Sequence, residues 1–382
     1  MPVRTDLLVI GAGPAGAAAG IAAARAGARV CVVDRAVFPR PKPCGDALSN
    51  VAAAVIGELG AGERLERAPR AVVRGAVALF PDGTRLTRSY GAEPGYIVPR
   101  TALDDLLRRE LERAGAEIVE GVKVRRLLRE AGRFCGAEGD RFVRRARVVI
   151  AADGSGSLAW HALGLAPPRE RHQGLAVTAY ASGVRYDADA EWSAHYFERF
   201  LPTGYGWVFP PVAGLSNVGV YLRSDRYHAK SASLRELFQR FVDAHPARFS
   251  AMKLEGPLRT WALPLAGMRP PPAAPGLLTA GDAARLIDPL SGEGIWHALA
   301  SGRIAGELAA ASLGTGDGAA LARRHRLRVA REVGWPTALR VGITRAVEVV
   351  VTRGLYRSAA VRGLFGWGYR GRAFELSKRT AS

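Results

Sequence analysis

Apolar residues along the chain follow two rhythms. Residues 5–10, 29–34, 117–120, 147–151 and 276–280 are short apolar runs bounded by turn or charged residues, which predicts buried strands. Residues 14–26 are alanine-rich and predict a helix, as do residues 50–65, 234–244 and 295 to about 311. Leu103, Leu106, Leu107 and Leu111 recur at helical spacing, and Gly115 ends that helix. Residues 72–87 predict a hairpin turning at Pro81-Asp82-Gly83, and residues 172–265 hold several more β-rich segments. Residues 37–49 carry three prolines and predict a loop. The strand, helix and strand over residues 5–34 form a β-α-β unit, so the fold class is α/β.

Within the β-rich part, PTGYGWVFP (residues 202–210) spaces Tyr205, Trp207 and Phe209 two residues apart. In a strand these rings share one face, while Gly206, Val208 and Pro210 point the other way. The rings make an apolar wall: either sheet core or one side of an apolar pocket.

Composition narrows the class. The 382 residues are 48% hydrophobic, enough for a globular chain with a large core. No apolar run reaches the ~18 residues of a membrane span, and the short run before Gly11 reads as a strand rather than a signal peptide. Cys31, Cys44 and Cys135 cannot all pair and show no CxxC spacing, which suits a reducing, cytoplasmic compartment and no structural metal. The net charge is +19, and only five of the 54 basic residues are lysine. Residues 321–382 hold 14 basic against 3 acidic residues. A basic patch of this kind fits an anionic partner: a phospholipid surface, a diphosphate or nucleic acid. No zinc-finger, helix-turn-helix or RNA-binding signature accompanies it, so nucleic acid is not expected.

Two motifs carry chemistry. Gly11-Ala12-Gly13-Pro14-Ala15-Gly16 lies between a strand and a helix, and Asp34 closes the next strand with Arg35 after it. Gly11 permits a tight turn, Gly13 lets the backbone approach a pyrophosphate, and Gly16 lets helix and strand pack closely. The helix N-terminus favours the anion, and Asp34 can accept hydrogen bonds from a ribose. Late in the chain, GDAARLIDPLSGEG places Asp282 after a strand, then Gly292, Glu293 and Gly294 before a helix opening at Ile295. That is a second anion site. FAD is a ligand that needs both, its pyrophosphate at the first and its ring at the second.

GxGxxG, ADGSGS (residues 152–157) and GDAA…P…GEG resemble the flavoprotein superfamily of para-hydroxybenzoate hydroxylase. KPCGDALS, PTGYGWVFP and GDAARLIDPLSGEGIWHALASGR resemble its geranylgeranyl reductase family, with Pro202, Tyr205, Trp207, Phe209 and Pro210 all matching that family's PxxYxWxFP pattern. The resemblance runs from about residue 3 to 312. It implies that Asp282 binds the ribityl-pyrophosphate region, that Arg100 reaches the cofactor beside the flavin, and that Val124 sits near the adenine. Asp153 is expected to tie its turn near the cofactor, and Glu293 to face the cofactor loop. The resemblance also brings Cys44 and Gly45 to the flavin. Asp46 stands where the family motif has a second glycine, which alters the shape and acidity of that loop.

The expected architecture is a Rossmann-type FAD-binding domain (residues 1–75, 100–165 and 275–320) interleaved with a β-rich antiparallel-sheet substrate domain (76–99 and 166–274). A basic, amphipathic helical C-terminal region (321–382) follows. The resemblance implies that the pocket takes a polyprenyl lipid or prenyl diphosphate and that its isolated double bonds are saturated. An alkene with no neighbouring carbonyl is a poor hydride acceptor. Protonation must accompany hydride transfer, and the faces of Tyr205 and Trp207 can stabilise the resulting cationic character by ~0.5–2 kcal/mol each. Cys44, Tyr205 and a water are rival proton donors. His297 could approach the flavin or simply pack, and Asp288-Pro289 could fix the turn before Gly292.

The superfamily also contains aromatic monooxygenases, an alternative that stays open. Its halogenases depend on a lysine, and here none lies between Lys42 and Lys123. No second GxGxxG unit offers a resident nicotinamide site, so electrons are expected from docking NAD(P)H or an acidic ferredoxin-like protein. The Arg-rich, apolar tail could lie on an anionic membrane, on the inner face, and cap a lipid pocket.

Overall fold

The computed structural model describes residues 3–187, 190–227, 232–338 and 340–361. Residues 362–382, the last third of the basic tail, lie outside the described residues.

The first sheet has seven strands. Val3–Ile10 lies at its centre, parallel to Val30–Val33 on one side and to Phe142–Ala151 on the other. Glu117–Val119 extends one edge, and Leu277–Thr279 pairs in parallel with the end of Phe142–Ala151. Leu7, Leu8, Val9 and Ile10 are all buried, as expected for a parallel strand covered on both faces. On one face the helix Pro14–Arg25 packs against Ile295–Ala311 at very short range. A Cβ on Gly302 would stand 2.1 Å from the Ala15 carbonyl oxygen, and one on Gly306 2.2 Å from that of Ala19. Only glycine allows the two backbones to touch there.

The antiparallel edge of this sheet was not anticipated. Val124–Glu130 and Arg133–Gly139 form a hairpin beside Phe142–Ala151, which itself starts five residues earlier than expected. Residues 50–65 form two helices, Asn50–Glu58 and Gly62–Arg67, because Gly60 turns the chain at φ 70°.

The second sheet has eight strands and is mostly antiparallel. Gln173–Ser182, Leu215–Arg223, Tyr205–Val212 and Trp192–Tyr196 follow one another across it. The expected hairpin, Gly75–Leu79 with Arg85–Ser89, joins its edge by a parallel pairing of Gly75–Leu79 with Trp192–Tyr196. The helix Leu234–Ala244 covers the outer face, with the Phe241 ring over Gly206. A small third sheet holds Ala47–Leu48, Gly95–Ile97 and Ala71–Val73.

After residue 311 the described chain is helical: Gly318–Val329, then Arg340–Thr352 as the last long helix. No helix of the described residues is long and apolar enough to cross a membrane.

Candidate active site

A cavity of about 1140 Å³ touches both large sheets, the loop at residues 40–51, the turn at 287–295 and the last long helix. Its two ends are built differently.

At one end the wall is backbone. Gly11, at φ 98°, has no room for a Cβ, which would meet the Ala152 carbonyl oxygen at 2.4 Å. A Cβ on Gly16 would stand 1.7 Å from the Gly11 oxygen. The helix Pro14–Arg25 starts at Gly13 without a side-chain cap, and Gly13, Pro14 and Ala15 line the cavity. The helix Ile295–Ala311 starts at Gly294, also without a side-chain cap, and Gly292, Gly294 and Ile295 line the same cavity. Two helix N-termini thus present open N–H donors to one space.

Asp34, Arg35 and Val124 also line this end. The Asp34 carboxylate accepts the Ala12 and Ala36 amides, each at 2.8 Å, one on each oxygen, and keeps spare lone pairs. Asp153 accepts the Leu158 amide on Oδ2 at 2.8 Å, which ties its turn. Its Oδ1 is buried without a protein partner, and burial raises its pKa. Lys42 was not anticipated here. Its Nζ lies 3.9 Å from Asp282 Oδ2 and 4.6 Å from the Trp261 ring centroid, and burial lowers its pKa. Uncapped helix ends that donate, together with a carboxylate with free lone pairs and an orphaned buried acceptor, form a set that fits a dinucleotide carrying a pyrophosphate and ribose hydroxyls.

The Cys44 loop meets the other end. A Cβ on Gly45 would stand 3.0 Å from Phe209 Cε2 and 3.7 Å from Trp207 Nε1. Burial pushes the Cys44 thiol up, while the Arg100 guanidinium beside it works in the opposite direction. Arg100 is itself buried and gripped by Asp104 through Nε and Nη2, both at 2.8 Å. Asp46 adopts φ 62°, the left-handed conformation that its glycine counterpart would take without cost. Glu293 accepts the Ser49 hydroxyl at 2.6 Å. Asp288 accepts the Leu290 amide at 2.8 Å and so fixes the turn before Gly292.

The far end is aromatic. Tyr205, Trp207 and Phe209 share a face, with ring centroids 6.2 and 6.1 Å apart along the strand. The indole lies over Gly219, its neighbour in register, where a Cβ would overlap it at 2.2 Å. His195, opposite Trp207 on the adjoining strand, joins the wall. It meets Tyr205 and Phe209 edge-on at 5.1 and 5.5 Å, its Nδ1 is buried without a partner, and burial lowers its pKa to about 4. The Tyr205 hydroxyl donates to the Ser291 carbonyl, and burial raises its pKa well above its ordinary value. Ile343, Ala346, Val347 and Val350 of the last long helix close this end. Arg340 anchors that helix on buried Asp288, and Arg226 pairs with its Glu348 at 2.6 Å.

Residues 4–334 match the family model described as FAD binding domain. Menaquinone reductase of Mycolicibacterium smegmatis is 34% identical over 328 residues, covering 81% of this chain and 77% of that protein. Digeranylgeranylglycerophospholipid reductase 1 of Methanopyrus kandleri is 33% identical, covering 82% of each chain. This chain belongs to the FAD-dependent geranylgeranyl reductase family. The crystal structure of a geranylgeranyl bacteriochlorophyll reductase-like protein from Thermoplasma acidophilum superposes with a TM-score of 0.82 at 25% identity, over 93% of this chain and 90% of that one. A flavin-dependent brominase shares the fold alone, at 20% identity and a TM-score of 0.78. The protein is an FAD-dependent oxidoreductase.

Within this geranylgeranyl reductase family member, the residues singled out by sequence gather at one cavity. Gly11, Gly13, Ala15, Asp34, Arg35, Cys44, Gly45, Arg100, Val124, Asp153, Asp282, Gly292, Glu293, Gly294 and Ile295 line it with the three rings, and Gly16 packs just behind Gly11. His297 takes the other option: its Nε2 sits 3.0 Å from Thr337 Oγ1 and it packs away from the cavity. Sequence reasoning missed Lys42, Tyr180, His195 and Asn217, and it noted Asp46 only as a departure from the family's glycine. Lys42 sits in the flagged loop and carried a usable signal, whereas the strand residues carried none.

Proposed function

We propose that this enzyme saturates isolated C=C bonds of a polyprenyl chain. The observation that supports it is the joining, in one cavity, of a dinucleotide cradle to an apolar aromatic chamber, with Cys44 on the shared wall. Gly13, Ala15, Gly16, Asp34 and Arg35 would hold the adenosine and pyrophosphate of FAD, with Val124 near the adenine. Asp153, Asp282, Gly292, Glu293, Gly294 and Ile295 would surround the rest. Residues 1–75, 100–165 and 275–320 then serve the cofactor, and 76–99 and 166–274 the lipid. When bound, reduced FAD supplies the hydride.

The chain's own residues do the remainder. The apolar wall excludes water, and the Tyr205 and Trp207 faces stabilise positive charge growing at the tertiary carbon by ~0.5–2 kcal/mol each. The proton is best assigned to Cys44 Sγ. Tyr205 already donates its hydrogen to Ser291 and is a weaker acid than usual. The thiol keeps its proton in this buried setting, and the Arg100 guanidinium offsets the charge left on sulfur when the proton departs. The relatives' names, with menaquinone and digeranylgeranylglycerophospholipid, point to a lipid-borne chain as substrate. The basic balance of the chain suits an anionic membrane surface and an acidic or anionic electron donor, NAD(P)H or a ferredoxin-like protein.

The test is anaerobic. The flavin of the purified enzyme is reduced, polyprenyl lipids of several headgroups are added, and reoxidation is followed by absorbance. Reoxidation with a product heavier by two hydrogens supports the reading. Failure with every lipid, together with fast reoxidation by oxygen and an aromatic product gaining one oxygen atom, moves the assignment to a monooxygenase.

A further inference from the structure

Asp46 is fully buried, yet it stands behind the Cys44 loop rather than on the cavity wall. Its Oδ2 accepts the Tyr180 hydroxyl at 2.6 Å and the Asn217 amide at 3.0 Å, and its Oδ1 accepts the Arg100 backbone amide at 3.3 Å. The same Asn217 amide nitrogen donates to the Cys44 carbonyl at 2.8 Å. On its other side, Asn217 Oδ1 accepts the Trp207 indole N–H at 2.9 Å and the Thr178 hydroxyl at 2.8 Å. The Asp46 carbonyl, in turn, accepts the Val98 amide at 2.9 Å. One network therefore runs from Arg100 through Asp46 and Asn217 to both the Cys44 backbone and the Trp207 ring.

We propose that Asp46 is a positioning residue: with Tyr180 and Asn217 it fixes the Cys44 loop against the aromatic wall, so that thiol and indole face one reaction volume. A glycine would adopt the same backbone but would leave Asn217 and Tyr180 without their shared acceptor. A buried polar network holds its members only when each is satisfied. The charged or titratable groups facing Asp46 are Tyr180 from its strand, Arg100 from its helix, and Cys44 on the shared loop. Burial raises the Asp46 carboxyl to about 6, and its charge works against ionisation of the Cys44 thiol. Position and electrostatics are thereby linked through one side chain.

Two variants separate these effects, because Asn and Gly both tolerate a left-handed backbone. The first readout is iodoacetamide alkylation of Cys44 in the holoenzyme, followed on its peptide by mass spectrometry across pH. Removing the neighbouring anion in Asp46→Asn should speed alkylation about 3- to 10-fold at fixed pH. It should also abolish the bend expected in the wild-type profile near pH 6. The second readout is turnover, which rests on the reductase reading. Asp46→Gly should lower kcat about tenfold with KM little changed, and Asp46→Asn should restore most of it. Alkylation profiles identical to wild type in both variants, or equal kcat in all three proteins, would overturn the proposal. If Asp46→Gly loses its flavin, Asp46→Asn decides alone. If the wild type reduces no lipid, the alkylation profile still judges Asp46, and the failure belongs to the reductase reading.

Discussion

The two ends of the cavity show two ways of making a site. The glycine-lined end is made of main chain: two uncapped helix ends and glycines whose neighbours leave no space for a methyl group. The aromatic end is made of side chains on a twisted sheet, braced by side-chain hydrogen bonds such as Trp207 to Asn217. Each set of backbone donors is shaped by the turn and helix that carry it, so each motif at that end is written in a few consecutive residues. The aromatic wall depends on register between strands far apart in the chain.

The comparison can be broken at either end. The largest effect is expected from Gly16→Ala, which drives a methyl group into the Gly11 carbonyl. Purified protein should lack flavin absorbance, and intact flavin content would show that the turn can yield. Next comes Cys44→Ser, where loss of a positioned acid should lower kcat by ~100-fold or more while flavin content and its reduction stay normal. A smaller kcat change would transfer the proton to a water. Arg340→Ala leaves Asp288 buried without its countercharge, which should cost about 3 kcal/mol. Equilibrium denaturation checks it, and an unchanged midpoint would mean that the Arg340–Asp288 pair adds nothing net to holding the last helix. The smallest effect is expected from Trp207→Leu, which removes one aromatic face. It should lower kcat about tenfold with cofactor affinity unchanged. Loss of flavin in that variant would show that the two ends are not separable.

The same contrast explains what could be read in the sequence. The β-α-β unit, its glycines and the helix Leu234–Ala244 were legible because each is specified within a few residues. The hairpin Val124–Glu130 with Arg133–Gly139 was not, because its exposed positions carry arginine and glutamate that pair only across strands, as Arg126 does with Glu138. The split after Glu58 turns on Gly60 alone. At the site, Cys44 and the three rings stood out as motifs. His195, Tyr180 and Asn217 are single polar residues in β segments, and only register makes them neighbours of Trp207 and Asp46. No local pattern marks such a residue.

The glycine contact between the helices Pro14–Arg25 and Ile295–Ala311 has a consequence for synthesis. The first helix leaves the ribosome long before the surface that covers Ala15 and Ala19, which comes from Gly302 and Gly306. Leu277–Thr279, which completes the parallel sheet, is equally late. The first helix is thus finished only by residues made long after it. Until Gly302 and Gly306 have emerged, an apolar helix face stays uncovered, a long-range closure of the kind that slows folding and exposes nascent chains to aggregation. A chain truncated before Gly302 would therefore leave the Ala15 and Ala19 face of the first helix without its cover as well as lose its tail.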